Sequence, residues 1–188
     1  MIERISESVW KYKGNGNIYF LDTPKKIIID TGCRSERSTI NQFLSKIIDF
    51  SKVDIVIFTH LHYDHTGNFD LFPNAFLYAS KNAIESFEID PFGTILNKDL
   101  SDKFKFAKLN KLPEKIDCLE VIETPGHTKG SVCLFYPDEK VLFSGDTLFH
   151  KKNIGRTDLP SSAPEKMQES LVRLLNCPYK ILCPGHDY

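Results

Sequence analysis

Four side chains able to ligate a metal, His60, His62, Asp64 and His65, fall within the short segment 59–68, THLHYDHTGN. In an extended chain, residues two apart point the same way, so His60 and His62 can grip one ion. A turn just afterwards would aim Asp64 and His65 at a second ion, and Thr66, Gly67 and Asn68 have the composition for it. Packed into a core instead, four such polar groups would each need its own partner. Three further segments share one form, an apolar run followed by a small-residue turn that carries a ligand: VIETPGH ends in His127, VLFSGD in Asp146 and ILCPGH in His186. Glycine lets the backbone bend closely around an ion, and a strand fixes its ligand rigidly. Imidazole and carboxylate donors without thiolate suit zinc, iron or manganese. Two such ions about 3.5–4 Å apart can share a water, lower its pKa toward neutrality and polarise a carbonyl, so no side-chain nucleophile is needed. His150, outside these motifs, reads as a surface or satisfied core residue.

The elements that must position these groups are legible in outline. Short strands are expected at SVWKYK, NIYFLD and KKIIID, with a turn at Gly14-Asn15-Gly16. Residues 35–50 read as a helix with Ile40, Phe43, Leu44, Ile47 and Ile48 on one face. The β-branched run 53–58, VDIVIF, suits a strand buried on both faces that delivers the chain into His60. Residues 75–79 form another strand, and Ser80 can cap a helix through Phe87. From 88 to 103 the pattern fails, interrupted by Pro91, Gly93 and Asn97. Strands resume at KFAKL, CLEVIE, SVCLFY and KVLFSG; 163–175 is a second helix with Pro164 in its first turn, and KILC is a last strand. Strand-rich halves with outer helices predict a layered α/β sandwich rather than a doubly wound sheet.

Size and composition bound the function. A chain of 188 residues with 41% apolar and 26% charged residues favours one domain, 1–188, with a sizeable core. The formal net charge of −1, with both signs dispersed, argues against nucleic acid as the partner. The start, MIERISESVWKYKG, lacks a signal-peptide core, and no apolar run approaches the roughly 20 residues of a membrane span. A cytoplasmic protein acting on a small molecule, without membrane contact, is expected; oligomeric state is not encoded legibly. Cys33, Cys118, Cys133, Cys177 and Cys183 are odd in number and lack CxxC spacing, so they read as small apolar residues in a reducing compartment. Cys183, close to His186, is the candidate for oxidation.

HxHxDH, then PGHT, GDT and PGH, in this order from His60 to His186, resemble the metallo-β-lactamase superfamily. The resemblance implies a four-layer αββα sandwich with two divalent metal ions, zinc first and iron or manganese as alternatives, at one edge between two sheets. It implies that His60, His62 and His127 hold the first ion, that Asp64, His65 and His186 hold the second, and that Asp146 bridges both. Asp64 and Asp146 are thereby the carboxylates expected to take part in catalysis. Asp30, in IIIDTG, stands where the superfamily carries an acid close to the site; it either orients a ligand histidine from behind or simply forms the turn before Thr31-Gly32.

Lactamases of the best-known zinc subclass resemble this chain but have cysteine where Asp146 stands, and flavodiiron oxidoreductases have glutamate where His62 stands. The stretch GDTLFHKKNIGRTDLP, 145–160, resembles small glyoxalase II-like proteins, which hydrolyse the thioester of hydroxyacylglutathione. A departing thiol of pKa about 8.5 needs little help from a general acid. Arg156 and Asp158 are candidates either for substrate contact or for an internal pair that shapes the loop. Full-length glyoxalase II has a helical C-terminal domain that supplies much of its glutathione site, and this sequence stops two residues after His186. Another element is therefore expected to bind the thiol carrier, or the substrate is another ester or lactone. Phe87, Phe92, Phe104 and Phe106, in or beside 88–103, either wall the pocket or simply pack. The alternative activity is that of a mononuclear iron persulfide dioxygenase of the same fold, which would use only His60, His127 and Asp146.

Overall fold

Alternate residues of the central strands go to different cores, and this sorting builds the layers. In a computed structural model, which describes residues 1–187, one sheet of seven strands runs in sequence order: β1 (Ile2–Arg4), β2 (Val9–Tyr12), β3 (Ile18–Asp22), β4 (Lys26–Ile29), β5 (Ile55–Ile57), β6 (Phe76–Ala79) and β7 (Leu109–Lys111). A second sheet has the order β12 (Ile181–Pro184), β11 (Val141–Gly145), β10 (Val132–Tyr136), β9 (Leu119–Glu123), β8 (Lys115–Ile116). Tyr19, Leu21, Ile27, Ile29, Ile55 and Ile57 meet Val132, Leu134, Val141 and Phe143 between the sheets. The intervening Ile18, Phe20, Ile28 and Val56 pack outward. There they meet α1 (Arg37–Leu44), α3 (Lys81–Ile89), α4 (Pro91–Ile95) and α5 (Lys98–Phe104). On the other side, Cys133, Phe135 and Leu142 pack against Leu174 of α6 (Pro164–Leu175). The result is the expected αββα sandwich.

Strands β4 to β7 pair in parallel, as do β11 and β12. Their carboxyl ends therefore gather at one edge, where loops of both sheets can converge on a ligand. Among the described residues no helix is long and apolar enough to cross a membrane.

Several expectations shift. The first helix is short, ending at Leu44, with Ile40 and Leu44 as its buried residues. The segment 88–103 is two short helices rather than irregular chain. Asp90 and Asn97 are their N-caps, accepting from the backbone N–H of Gly93 and Leu100, and Pro91 opens α4. The run KFAKL contributes only its last residue to β7, and β1 and β8, two or three residues each, carried no visible pattern. Cys183 faces the buried layer between the sheets, and burial pushes its thiol up to about 12, which removes it as an oxidation site.

Candidate metal centre

Strand β5 ends at Ile57, the chain bends at Thr59 and His60, and His62 then opens α2 (Tyr63–Thr66), a single helical turn. The chain thus changes direction inside the motif, not after it. His60 and His62 fall on one side, with His60 Nε2 3.1 Å from His62 Nδ1, and the helical turn carries Asp64 and His65 onward. Gly67 instead lets the chain pass the backbone of Gly32 and Arg34, where a Cβ would come within 2.4–2.5 Å. His127 follows β9, Asp146 follows β11 and His186 follows β12, as expected. His127 Nε2 comes 2.9 Å from His62 Nδ1, His65 Nε2 lies 3.3 Å from His186 Nε2, and His186 Nε2 lies 3.3 Å from Asp64 Oδ2. Asp146 sits between the two groups: Oδ2 is 3.5 Å from His127 Nε2 and 3.4 Å from His186 Nε2, and Oδ1 is 3.4 Å from His65 Nε2. Three overlapping sets could each hold an ion: His60, His62 and His127; His60, His65 and Asp146; Asp64, His65 and His186.

The proton positions around these rings follow from their outer partners. Asp30, a carboxylate that can only accept, takes the Thr59 backbone N–H (2.8 Å) and the Thr59 hydroxyl (2.8 Å) and lies 2.8 Å from His65 Nδ1. With its hydrogen given to Asp30, Thr59 Oγ1 is an acceptor toward His60 Nδ1 at 3.2 Å. His127 Nδ1 lies 2.7 Å from the Arg156 carbonyl, which again can only accept. So His60 and His127 have their protons committed outward, and both turn lone pairs inward toward His62 Nδ1. Ser161 Oγ lies on the far side of that ring, 3.5 Å from Nε2.

Electrostatics divide the cluster in two. Burial, reinforced by the neighbouring rings His65, His62 and His127, holds His60 well below the ordinary histidine range. Burial and His127 take His62 to about 3, and burial lowers His127. These three are neutral donors. For His65 and His186 burial acts the same way but is outweighed: Asp146, Asp30 and Asp64 raise His65 well above its usual value, and hydrogen bonds with Asp146 and Asp64 bring His186 to about 9. Burial opposes ionisation of Asp64 and Asp146, yet the histidine partners hold both carboxyls low.

A cation fits these residues on two observations. His60 Nε2 and His127 Nε2 both converge on His62 Nδ1, at 3.1 and 2.9 Å, where one N–H at most could serve them, and Asp146 Oδ1, sealed from solvent, accepts no hydrogen bond. In the second half the carboxylates favour positive charge at His65 and His186, the place that an ion would fill.

The cluster opens into a cleft of about 720 Å³ walled by Tyr63, Leu96, Phe149, Ile154 and Leu159 together with Lys152, Asn153 and Arg156. Arg156 and Asp158 form an exposed bidentate pair, 2.7 and 2.8 Å, and Arg156 also lines the cleft. Of the aromatic candidates, Phe104 is fully buried against Phe58, Phe69 and Phe87, while Phe92 and Phe106 are exposed away from the cleft. Segment 88–103 contributes Leu96 alone to the cleft wall. His150 is exposed. Thr59 and Ser161, which buttress His60 and His62, escaped the sequence reading. Adjacency to the motif could have flagged Thr59, but nothing in the sequence marks Ser161.

The chain matches the metallo-beta-lactamase superfamily model over residues 12–186. It is 34% identical over 163 residues to a probable metallo-hydrolase of Methanocaldococcus jannaschii, covering 86% of this chain and 70% of the relative. It is also 34% identical over 139 residues to a hydroxyacylglutathione hydrolase of Hydrogenovibrio crunogenus, covering 73% of this chain but 46% of that relative, so it spans about half of that protein. Among solved structures, the di-iron-bound form of TTHA1623 superposes with a TM-score of 0.70 at 26% identity, over 92% of this chain and 88% of that one. The BLEG-1 B3 metallo-beta-lactamase superposes with a TM-score of 0.70 at 27% identity, over 94% and 90%.

Proposed function

Because this chain belongs to the metallo-β-lactamase superfamily, we propose that it is a two-metal hydrolase acting on a thioester of the hydroxyacyl-glutathione type. The observation that carries the reading is the seven-residue donor set: His62, Asp64, His65 and His186 all face the cluster beside the three residues that a mononuclear iron site would need. His60, His62 and His127 would hold one ion, Asp64, His65 and His186 the other, with Asp146 shared. Two bound divalent ions supply Lewis acidity and make a shared water acidic enough to be nucleophilic near neutral pH.

The protein's own residues do the rest. Asp30 fixes the tautomer of His65 directly and that of His60 through the Thr59 hydroxyl, so both present Nε2 inward. The Arg156 carbonyl does the same for His127. Tyr63, Leu96 and Ile154 offer an apolar wall for an acyl group, and Lys152 and Arg156 place positive charge at the rim for an anionic carrier. A thiol leaving group suits this cleft, since the carboxylates deep in it are committed to the histidines. The named hydroxyacylglutathione hydrolases among the relatives support the substrate class, and zinc or iron both suit the donors.

The test combines metal content and turnover. Anaerobically purified protein is expected to carry two ions per chain and to release thiol from lactoylglutathione without consuming oxygen. One iron per chain, with oxygen uptake on glutathione persulfide and intact thioesters, would establish the dioxygenase instead.

A further inference from the structure

Lys11 stands where the alternation of β2 calls for a core residue. Val9, two positions earlier, packs between the sheets, and Lys11 points the same way, is only 6% exposed and has its ammonium 6.0 Å from the centre of the Tyr19 ring. A charge in such a layer is costly unless paired. Its partner is the carboxylate of Asp187, the residue after His186; the other oxygen of Asp187 takes Lys13 at 3.2 Å. The preceding residues are gripped from the same sheet. Asn17, fully buried, donates its side-chain amide to the Pro184 carbonyl (3.0 Å) and to Asp187 (3.3 Å), and its backbone N–H to the Gly185 carbonyl (2.8 Å). Tyr19 donates its hydroxyl to the Pro184 carbonyl (2.7 Å). From the other sheet the Gly145 carbonyl accepts the Gly185 N–H at 2.7 Å.

An ion pair with one partner buried is a poor way to gain stability, because apolar residues of the same volume do as well or better; its best-attested use is to fix one register. Here it fixes the backbone on the far side of His186. We propose that Lys11 and Asp187 are positioning residues: their partly buried pair latches the segment after β12 onto β2 and so holds His186 Nε2 in the second metal subsite. This rests on the two-ion reading above. The first subsite has no share in the latch, since His60 and His62 hang between β5 and the helical turn, and His127 is fixed by Arg156. The latch therefore acts on one subsite and leaves the other alone.

The experiment is zinc titration of the metal-free protein by calorimetry, together with its thermal unfolding, for the wild type, Lys11→Met, Lys11→Arg and Asp187→Asn. The wild type is expected to take two ions. Lys11→Met and Asp187→Asn should bind the first ion as before and the second about tenfold or more weakly, as for other outer partners of metal ligands. Lys11→Arg should restore much of the second affinity, and the metal-free melting temperature should barely move. Should Lys11→Met fail to fold, Asp187→Asn, which keeps the shape of its residue, carries the same comparison. Two ions bound equally well by wild type and variants would overturn the latch alone. So would equal weakening of both ions with a lower metal-free melting temperature, the mark of a purely structural pair. A wild type that takes a single ion would remove the two-ion reading and the latch together.

Discussion

Asp30 organises the candidate metal centre from behind the histidines, through Thr59 and His65. It adopts a left-handed backbone (φ 57°), rare outside glycine, with its N–H bonded to the Ile57 carbonyl, and this bends its carboxylate under Thr59 and His65. Asp30→Asn keeps the shape but puts an amide where only acceptors serve: its N–H₂ must face either the Thr59 backbone N–H or, in the place of the other oxygen, the Thr59 hydroxyl and His65 Nδ1–H together. His65 is then free to turn the wrong nitrogen inward. Metal affinity should fall about 10- to 100-fold, with the far-ultraviolet circular dichroism unchanged; metal content equal to wild type after dialysis would show that Asp30 only shapes the turn. Both alternatives for this residue were legible in the sequence, but not the choice between them. The candidate ligands stand out by type and spacing, whereas Asp30 meets a residue 35 positions away, a contact that no local pattern records. Lys11 was hidden for the same reason, its partner lying 176 positions away.

At the scale of elements, strands with long apolar runs were easy to read and the loops between them were not. The run 53–58 must be a buried strand because nothing else hides that many β-branched residues, and β5 lies there. Pro91 and Asn97 looked like interruptions because they break the apolar period, yet they begin helices too short to show a period at all. The loop from Asp146 to Arg156 is similar. Gly155 is where it closes: its N–H bonds the Asp146 carbonyl at 3.1 Å, and a Cβ there would lie 2.0 Å from that oxygen and 3.0 Å from His127 Nδ1. Gly155→Ala should push the loop off the cluster and loosen His127 from the Arg156 carbonyl. The expected result is about 1–3 kcal/mol lost in denaturant unfolding, together with a weakened first ion. An alanine variant with normal stability and normal zinc stoichiometry would mean that the loop is free to adjust and does not fix His127.

The whole molecule places its charge cluster across the joint between two sheets. His60, His62, Asp64 and His65 come from the end of β5 in the seven-stranded sheet, while His127, Asp146 and His186 come from the ends of β9, β11 and β12 in the other. The apolar layer between the sheets, from Val9 and Leu21 to Val141 and Phe143, contains none of the candidate ligands. At the ligand edge that layer gives way to buried histidines and carboxylates. Ions bound there would therefore act as cross-sheet staples, coupling metal occupancy to global stability. At free metal 1,000-fold above the dissociation constant, linkage is worth about 4 kcal/mol per site. For a chain of this size that is on the order of 10 °C in melting temperature. Chelation should therefore lower the melting temperature by at least that much while the metal-free protein still unfolds cooperatively, because the inter-sheet core remains. Hydrogen exchange should localise the loss of protection to the carboxyl ends of β5, β11 and β12, sparing β3 and β4. A melting temperature indifferent to chelator, or a metal-free protein without a cooperative transition, would each reject this division of labour between the apolar layer and the charged edge.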